Sequence, residues 1–212
     1  MELWYTYREI KRSGGKAGRY STGLRYTVQS ARLMADIYDV TLPKRRHSMC
    51  FLPDAFFQTF DQLTPQYLAE RHINALIVDV DNTLIPYEEN LPRSGVLKWL
   101  DEMKQAGISI AFVTNNHKKR LDTFNAVIGL PAFHDSLKPF PRNMKAAMRA
   151  MQSDAAHTAN IGDQIFTDIW AGKLLGLRSY LVPPIKDKKD LFTKFKRFLE
   201  KPILKRFFKK QN

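Results

Sequence analysis

Ala75-Leu76-Ile77-Val78-Asp79-Val80-Asp81-Asn82-Thr83-Leu84 runs an apolar segment straight into two aspartates. The run Ala75 to Val80 reads as a strand buried on both faces, the form taken in parallel sheets with helices above and below. Such a strand does not end in paired carboxylates without compensation, because an isolated buried charge costs several kcal/mol or is neutralised. Alternation at spacing two puts both carboxylates on one side as the chain leaves the strand. The pair allows a division of labour in which one carboxylate attacks while its neighbour gives and then takes a proton. A surface turn of Asp and Asn is the alternative, but such turns rarely follow so apolar a strand so abruptly.

Three more apolar runs follow: Ile108 to Val113, Ala159 to Ile161 and Ser179 to Val182. Helical patterns separate the four runs. Val96 to Gln105 stops at Gly107, Lys118 to Ile128 stops at Gly129, Arg142 to Met151 follows, and Ile165 to Leu175 stops at Gly176. Ahead of them Thr64-Pro65 has the N-cap and first-turn proline of a helix expected to reach about Arg71. This alternation predicts an α/β fold, a three-layer Rossmann-like parallel sheet, whose ligands bind beyond the carboxyl ends of the strands.

Composition bounds the rest. The 212 residues are 44% hydrophobic, enough for one well-buried domain with appendages. The single Cys50 excludes an internal disulfide and any multi-cysteine zinc site. No apolar run is long enough to span a bilayer, and the N-terminus lacks a secretory signal core. The net charge of +13 belongs to the ends: residues 1–48 carry ten Lys/Arg against four Asp/Glu, residues 186–212 eleven against three, and residues 49–185 thirteen against fourteen. The expected organisation is a flexible basic extension over 1–48, a catalytic domain over 49–185 and a basic amphipathic tail over 186–212. Val28 to Tyr38 is the one stretch of the extension that suits a short helix. A flexible arm, or an extension upstream of a start at Met49, fits the acids and tyrosines of this segment better than a targeting presequence does. The cationic ends call for an anionic partner, lipid or nucleic acid.

Three further polar sets fall just past strand or loop ends. Thr114-Asn115-Asn116 offers a hydroxyl and backbone N–H groups suited to phosphate oxygens, or equally an N-cap for the helix that follows. Lys138-Pro139 holds one cation in a proline-bounded loop, which by itself reads as a solvated charge. Gly162-Asp163-Gln164-Ile165-Phe166-Thr167-Asp168 brings two carboxylates to a strand-to-helix junction, a donor set suited to Mg²⁺ with room left for a substrate phosphate.

In this order, Asp-x-Asp-x-Thr, Thr-Asn, Lys-Pro and Gly-Asp-x-x-x-x-Asp resemble the four-motif signature of the haloacid dehalogenase superfamily of aspartate-nucleophile phosphotransferases. The Phe-Leu-Pro-Asp start at Phe51, the Thr-Pro helix, and the full Val-Asp-Val-Asp-Asn-Thr-Leu and Gly-Asp-Gln-x-x-Thr-Asp-Ile strings are similar to the YqeG-type subclass IIIA phosphatases. That group is similar in turn to the mitochondrial phosphatidylglycerophosphate phosphatases. The narrower likeness covers about residues 51–184, and no matched position departs from it. The resemblance implies that Asp79 is the nucleophile and Asp81 the general acid/base. It implies that Thr83, Thr114 and Asn115 serve substrate binding and that Lys138 neutralises the phosphoryl charge. It further implies that Asp79, the Asp81 carbonyl, Asp163 and Asp168 hold or support Mg²⁺.

Spacing bears on the substrate. About thirty residues separate Asp81 from Thr114 and 24 separate Thr114 from Lys138, which leaves no room for a cap domain. An uncapped site admits large phosphorylated substrates, and the cationic, Phe-rich tail favours a lipid headgroup among them. In the tail, Leu191, Phe192, Phe195, Phe198 and Leu199 share one helical face, as do Ile203, Leu204, Phe207 and Phe208 after Pro202. This suits either an anionic membrane surface or packing on the domain. The expected activity is Mg²⁺-dependent dephosphorylation of phosphatidylglycerophosphate, in the cytoplasm or peripherally on the inner face of the cell membrane, with a mitochondrial site less favoured. The alternatives are a phosphatase of soluble sugar phosphates or nucleotides, and an RNA- or ribosome-binding module. Nucleic acid is disfavoured because the arms show no RNA-reading pattern.

Overall fold

The computed structural model describes residues 18–19, 25–26, 51–186 and 191–209, of which 18–19, 25–26 and 191–198 by backbone alone. The helix expected over 28–38 and most of the basic extension lie outside these residues. By internal contacts the chain divides into Met1–Pro43 and Lys44–Asn212. In the first unit β1 (Gly18–Arg19) pairs antiparallel with β2 (Arg25–Tyr26).

The second unit is built on a six-stranded sheet in which every pairing is parallel. Its strands are β3 (Ala55–Phe56), β4 (Ala75–Val78), β5 (Ser109–Val113), β6 (Ala132–Phe133), β7 (Thr158–Gly162) and β8 (Arg178–Leu181), in the spatial order β3-β8-β7-β4-β5-β6. Sequence reading anticipates four of the six. The two edge strands are two residues each, too short to show any alternation. The chain leaves β4 for β5 and β6 on one side, then returns to β7 and β8 on the other. The switch in direction therefore falls at β4, where a doubly wound sheet opens its ligand crevice.

Both faces of the sheet are covered, as the unbroken apolar run of β4 requires. Leu76, Val78, Ile110 and Phe112 pack against Trp99 and Met103 of α2 (Ser94–Gln105) and Leu121 and Phe124 of α3 (Lys118–Asn125), with Leu68 of α1 (Pro65–Ala69) in the same cluster. Ile77, Ala111 and Val113 face the other way, onto Met144 and Ala147 of α4 (Arg142–Ala150) and Ala171 of α5 (Trp170–Leu174). The Thr64 hydroxyl accepts from the Tyr67 N–H at 3.2 Å, the expected cap of α1, although α1 ends at Ala69 rather than near Arg71. The single helix expected over Ile165 to Leu175 is two pieces, a π-helical turn at Ile165–Ile169 followed by α5.

The tail is one helix, α6 (Leu191–Lys209), which runs on through Pro202. Ile203 and Leu204 pack on Ile165, Ile169 and Leu181, Phe207 is buried, and Phe208 meets Phe56 edge-on at 5.3 Å. These contacts hold the helix direction past a residue that cannot donate to the preceding turn. Of the two destinations open to this apolar face, Ile203, Leu204 and Phe207 take the domain, while Leu199 and Phe208 stay 41% and 42% exposed. No described helix is long and apolar enough to cross a membrane.

Candidate active site

One residue past β4, the Asp79 N–H donates to Ile161 O of β7 at 3.0 Å, which fixes its backbone between neighbouring strands. Its carboxylate is gripped from two sides: the Thr83 hydroxyl donates to Oδ2 at 2.8 Å and the Lys138 ammonium to Oδ1 at 2.7 Å. Lys138 Nζ also donates to Asp168 Oδ1 at 2.6 Å and Val113 O at 2.8 Å, which uses all three of its donors inside the protein. The Lys138 backbone is itself clamped, its N–H donating to Asn115 Oδ1 at 2.7 Å and its carbonyl accepting from Asn115 Nδ2 at 3.3 Å.

Asp81 is held separately. It accepts from the Thr114 hydroxyl at 2.7 Å and from Arg120 Nε at 2.5 Å. Arg120 also donates to Asn90 Oδ1 at 2.7 Å and Pro86 O at 3.0 Å, so one guanidinium joins α3, the loop after β4 and Asp81. Between Asp81 and Thr83 the chain takes a left-handed step at Asn82, φ 67°, a conformation asparagine tolerates. The Asn82 side chain then brackets Lys186, donating to its carbonyl at 2.7 Å and accepting from its N–H at 2.9 Å.

After β7, Gly162 lies so close to Asp168 that an added Cβ would collide with that carboxyl group. Asp168 Oδ2 accepts from the Gln164 N–H at 3.1 Å and the Thr167 hydroxyl at 3.2 Å, as the π-helical turn folds its acid back toward the strand end. The Ile165 N–H that opens this turn donates to Glu200 of α6 at 2.9 Å. Asp79, Asp163 and Asp168 are all buried, each with a carboxylate oxygen within 4.8 Å of those of the other two. Three carboxylates against one ammonium leave two formal negative charges. Burial pushes the Asp79 carboxyl well above the usual aspartate range; Lys138 opposes the shift while Asp168, Asp163 and Asp81 add to it. Burial alone would push the Lys138 ammonium down, but the Asp168 and Asp79 carboxylates hold it above the usual lysine range. An all-oxygen donor set with a twofold charge deficit fits a hard divalent cation.

These groups open on a cavity of about 210 Å³ lined by Asp79, Asp81, Thr114, Asn115, Lys138 and Asp168, with Tyr87, Asn116, Gln164 and Thr167. Of the residues expected from sequence, Asp163 sits in the carboxylate cluster, and Thr83 backs Asp79 without lining the cavity. The Asp81 carboxylate stands outside the cluster of three, on Thr114 and Arg120. Sequence reading misses Arg120, Tyr87, Gln164 and Thr167. Arg120 leaves one faint signal, a cation in the first turn of the helix that follows Thr114. Burial, then the surrounding carboxylates, push the Tyr87 phenol above its usual range, so it stays a donor.

Residues 25–176 match the family model described as haloacid dehalogenase-like hydrolase. The chain is 33% identical over 154 residues to "Probable phosphatase YqeG" of Bacillus subtilis, covering 73% of this chain and 90% of that protein. It is 23% identical over 116 residues to the glyceraldehyde 3-phosphate phosphatase of Pyrococcus abyssi, covering 50% and 48%. Among solved structures, the 3-deoxy-D-manno-octulosonate 8-phosphate phosphatase of Moraxella catarrhalis aligns with a TM-score of 0.43 at 20% identity, over 55% of this chain and 70% of that one.

Proposed function

The chain belongs to the haloacid dehalogenase-like hydrolases and is a phosphatase of that type, and on that premise we propose that it removes the phosphate of phosphatidylglycerophosphate at a membrane surface, with Asp79 as nucleophile. The observation that carries the chemistry is the separate fixing of two neighbouring carboxylates, Asp79 by Lys138 and Thr83, Asp81 by Thr114 and Arg120.

An Asp79 oxygen attacks phosphorus and forms an aspartyl phosphate, while the bond from phosphorus to the ester oxygen breaks. Asp81 gives its proton to the departing alkoxide. Asp81 then takes a proton from water, whose oxygen attacks the same phosphorus and frees orthophosphate and Asp79. Lys138 offsets charge on Asp79 and on the transferring group, and the Thr114 and Asn115 groups at the cavity wall receive phosphoryl oxygens. Mg²⁺ held by Asp79, Asp163 and Asp168 would supply the remaining positive charge toward the phosphoryl oxygens.

The lipid substrate is supported by access. Between Asp81 and Thr114 lie a loop, α2 and β5, and between Thr114 and Lys138 lie α3 and β6, so no domain is inserted in either span to cover the cavity. Phosphate release from vesicles containing phosphatidylglycerophosphate tests the reading, with Asp79→Asn as control. Turnover by the parent and none by Asp79→Asn is expected. Equal turnover in both sinks the mechanism, and turnover confined to soluble sugar phosphates or nucleotides sinks the substrate.

A further inference from the structure

Loops that leave the carboxyl ends of parallel strands share one edge of the sheet, and here that edge carries the cavity. Four of the large apolar side chains with high exposure sit in those loops: Leu91 after β4 (60% exposed), Leu137 and Phe140 after β6 (70% and 66%), and Ile185 after β8 (43%). Leu137 and Phe140 flank Lys138 and Pro139, and Leu91 adjoins the Asn90 that Arg120 holds. None of the four belongs to a core cluster of the described residues, although Ile185 also lines a second cavity with Leu84, Val96 and Val182. Single exposed leucines are ordinary, but four gathered on the edge that bears the catalytic groups form a patch.

The charges on this edge are selective. Its acids, Glu88, Glu89, Asp122 and Asp135, are each already paired with a cation or histidine. Exposed Lys119 and Arg142, in the first turns of α3 and α4, pair with no acid among the described residues. The edge thus presents apolar groups interleaved with uncompensated cations, the composition of a surface that seats in the headgroup layer of an anionic bilayer. Ile203, Leu204 and Phe207 of α6 are taken up by the domain and are not free for this role.

We infer that the mouth of the cavity is itself the membrane-docking face: Leu91, Leu137, Phe140 and Ile185 enter the interface of an anionic bilayer, and Lys119 and Arg142 meet its phosphates. The inference rests on the membrane-borne substrate proposed above and adds where the membrane touches the protein. Docking by this face brings a headgroup phosphate to the Asp79 end of the cavity without the lipid leaving the bilayer.

The test uses the full chain and vesicles of phosphatidylcholine with and without phosphatidylglycerol, sedimented at one salt concentration so that the basic ends contribute equally to parent and variants. The parent and Asp79→Asn should bind the anionic vesicles equally. Leu137→Ser/Phe140→Ser, and independently Leu91→Ser on a different loop, should bind roughly tenfold more weakly. They should lose a similar factor in turnover of vesicle-borne phosphatidylglycerophosphate while hydrolysing a soluble phosphomonoester like the parent. Binding and vesicle turnover unchanged in both variants overturn the docking face and leave the substrate reading intact. Weakened vesicle binding in the variants, with no phosphate released from phosphatidylglycerophosphate by the parent, overturns the substrate reading and leaves the docking face. Loss of RNA binding in place of vesicle binding overturns the inference in favour of a nucleic acid surface.

Discussion

Replacing Lys138 by methionine keeps an unbranched apolar stem of similar length and removes only the ammonium. In the folded protein that ammonium satisfies Asp79, Asp168 and the Val113 carbonyl at 2.6 to 2.8 Å, almost entirely out of water. Breaking a buried pair from one side costs about 3 to 5 kcal/mol, because the partner charges stay behind. For a chain of this size that corresponds to a melting temperature lower by about 6 to 20 °C. A divalent cation bound there would supply charge to the same carboxylates, and at about a hundredfold excess over its dissociation constant would contribute about 2.7 kcal/mol. The variant should therefore melt far below the parent in EDTA and regain more than the parent does when Mg²⁺ is added, while its turnover falls below detection. The pH dependence has a definite sign. Asp79 is already raised by burial and loses the group that lowers it, so its contribution is fully present below the ordinary aspartate value near 4 and is lost as pH rises through the raised folded value. The gap to the parent should narrow on acidification. Differential scanning calorimetry at several pH values, with EDTA or Mg²⁺, reads all of this. A melting temperature within about 2 °C of the parent in EDTA, or a gap indifferent to Mg²⁺, would refute the reasoning.

Two other substitutions probe the same assembly. Gly162→Ala places a methyl group against the Asp168 carboxyl, so the acid must move; weaker Mg²⁺ affinity by calorimetric titration and at least about a tenfold drop in kcat are expected, and unchanged affinity would count against Asp168 as part of the cation site. Arg120→Ala frees one oxygen of Asp81 and unties Asn90 and Pro86, so kcat on a soluble phosphomonoester should fall about 10²-fold with the metal-binding isotherm unchanged, because the Asp81 carboxylate lies outside the carboxylate cluster; an equal loss of metal affinity would contradict that separation.

What the sequence shows and what it hides divide by physical range. Asp79, Asp81, Thr114, Asp163 and Asp168 are legible because each follows an apolar run or sits at a fixed offset within a short string, and parallel strands then carry the strings to one edge; Lys138 by itself reads as a solvated charge and is marked only by the family resemblance. Arg120 reaches Asp81 across 39 positions of chain, and nothing local marks that one of several basic residues in Lys118-Lys119-Arg120 turns inward. Asn82 reads as part of a motif, yet its work is to bracket Lys186, 104 positions away. The π-helical turn is hidden in another way. Ile165 to Leu175 has ordinary helical spacing, and only the pull of Gln164 and Thr167 on Asp168 shows that the first turn is wound wide. Edge strands β3 and β6 are set by neighbours rather than by their own residues.

The hydrogen bond from Ile165 to Glu200 joins the chain's far end to the turn that carries Asp168, and buried Phe207 lies on the same helix. A truncation before Glu200 would therefore be read wrongly as the loss of an appendage. It removes a cap and a piece of core, and its first symptom belongs at the three buried carboxylates, some thirty positions upstream of the cut. For anyone attaching a tag, a label or a reporter domain, the last turns of α6 are structural ground, and a fall in melting temperature is the gauge of whether the attachment has disturbed it.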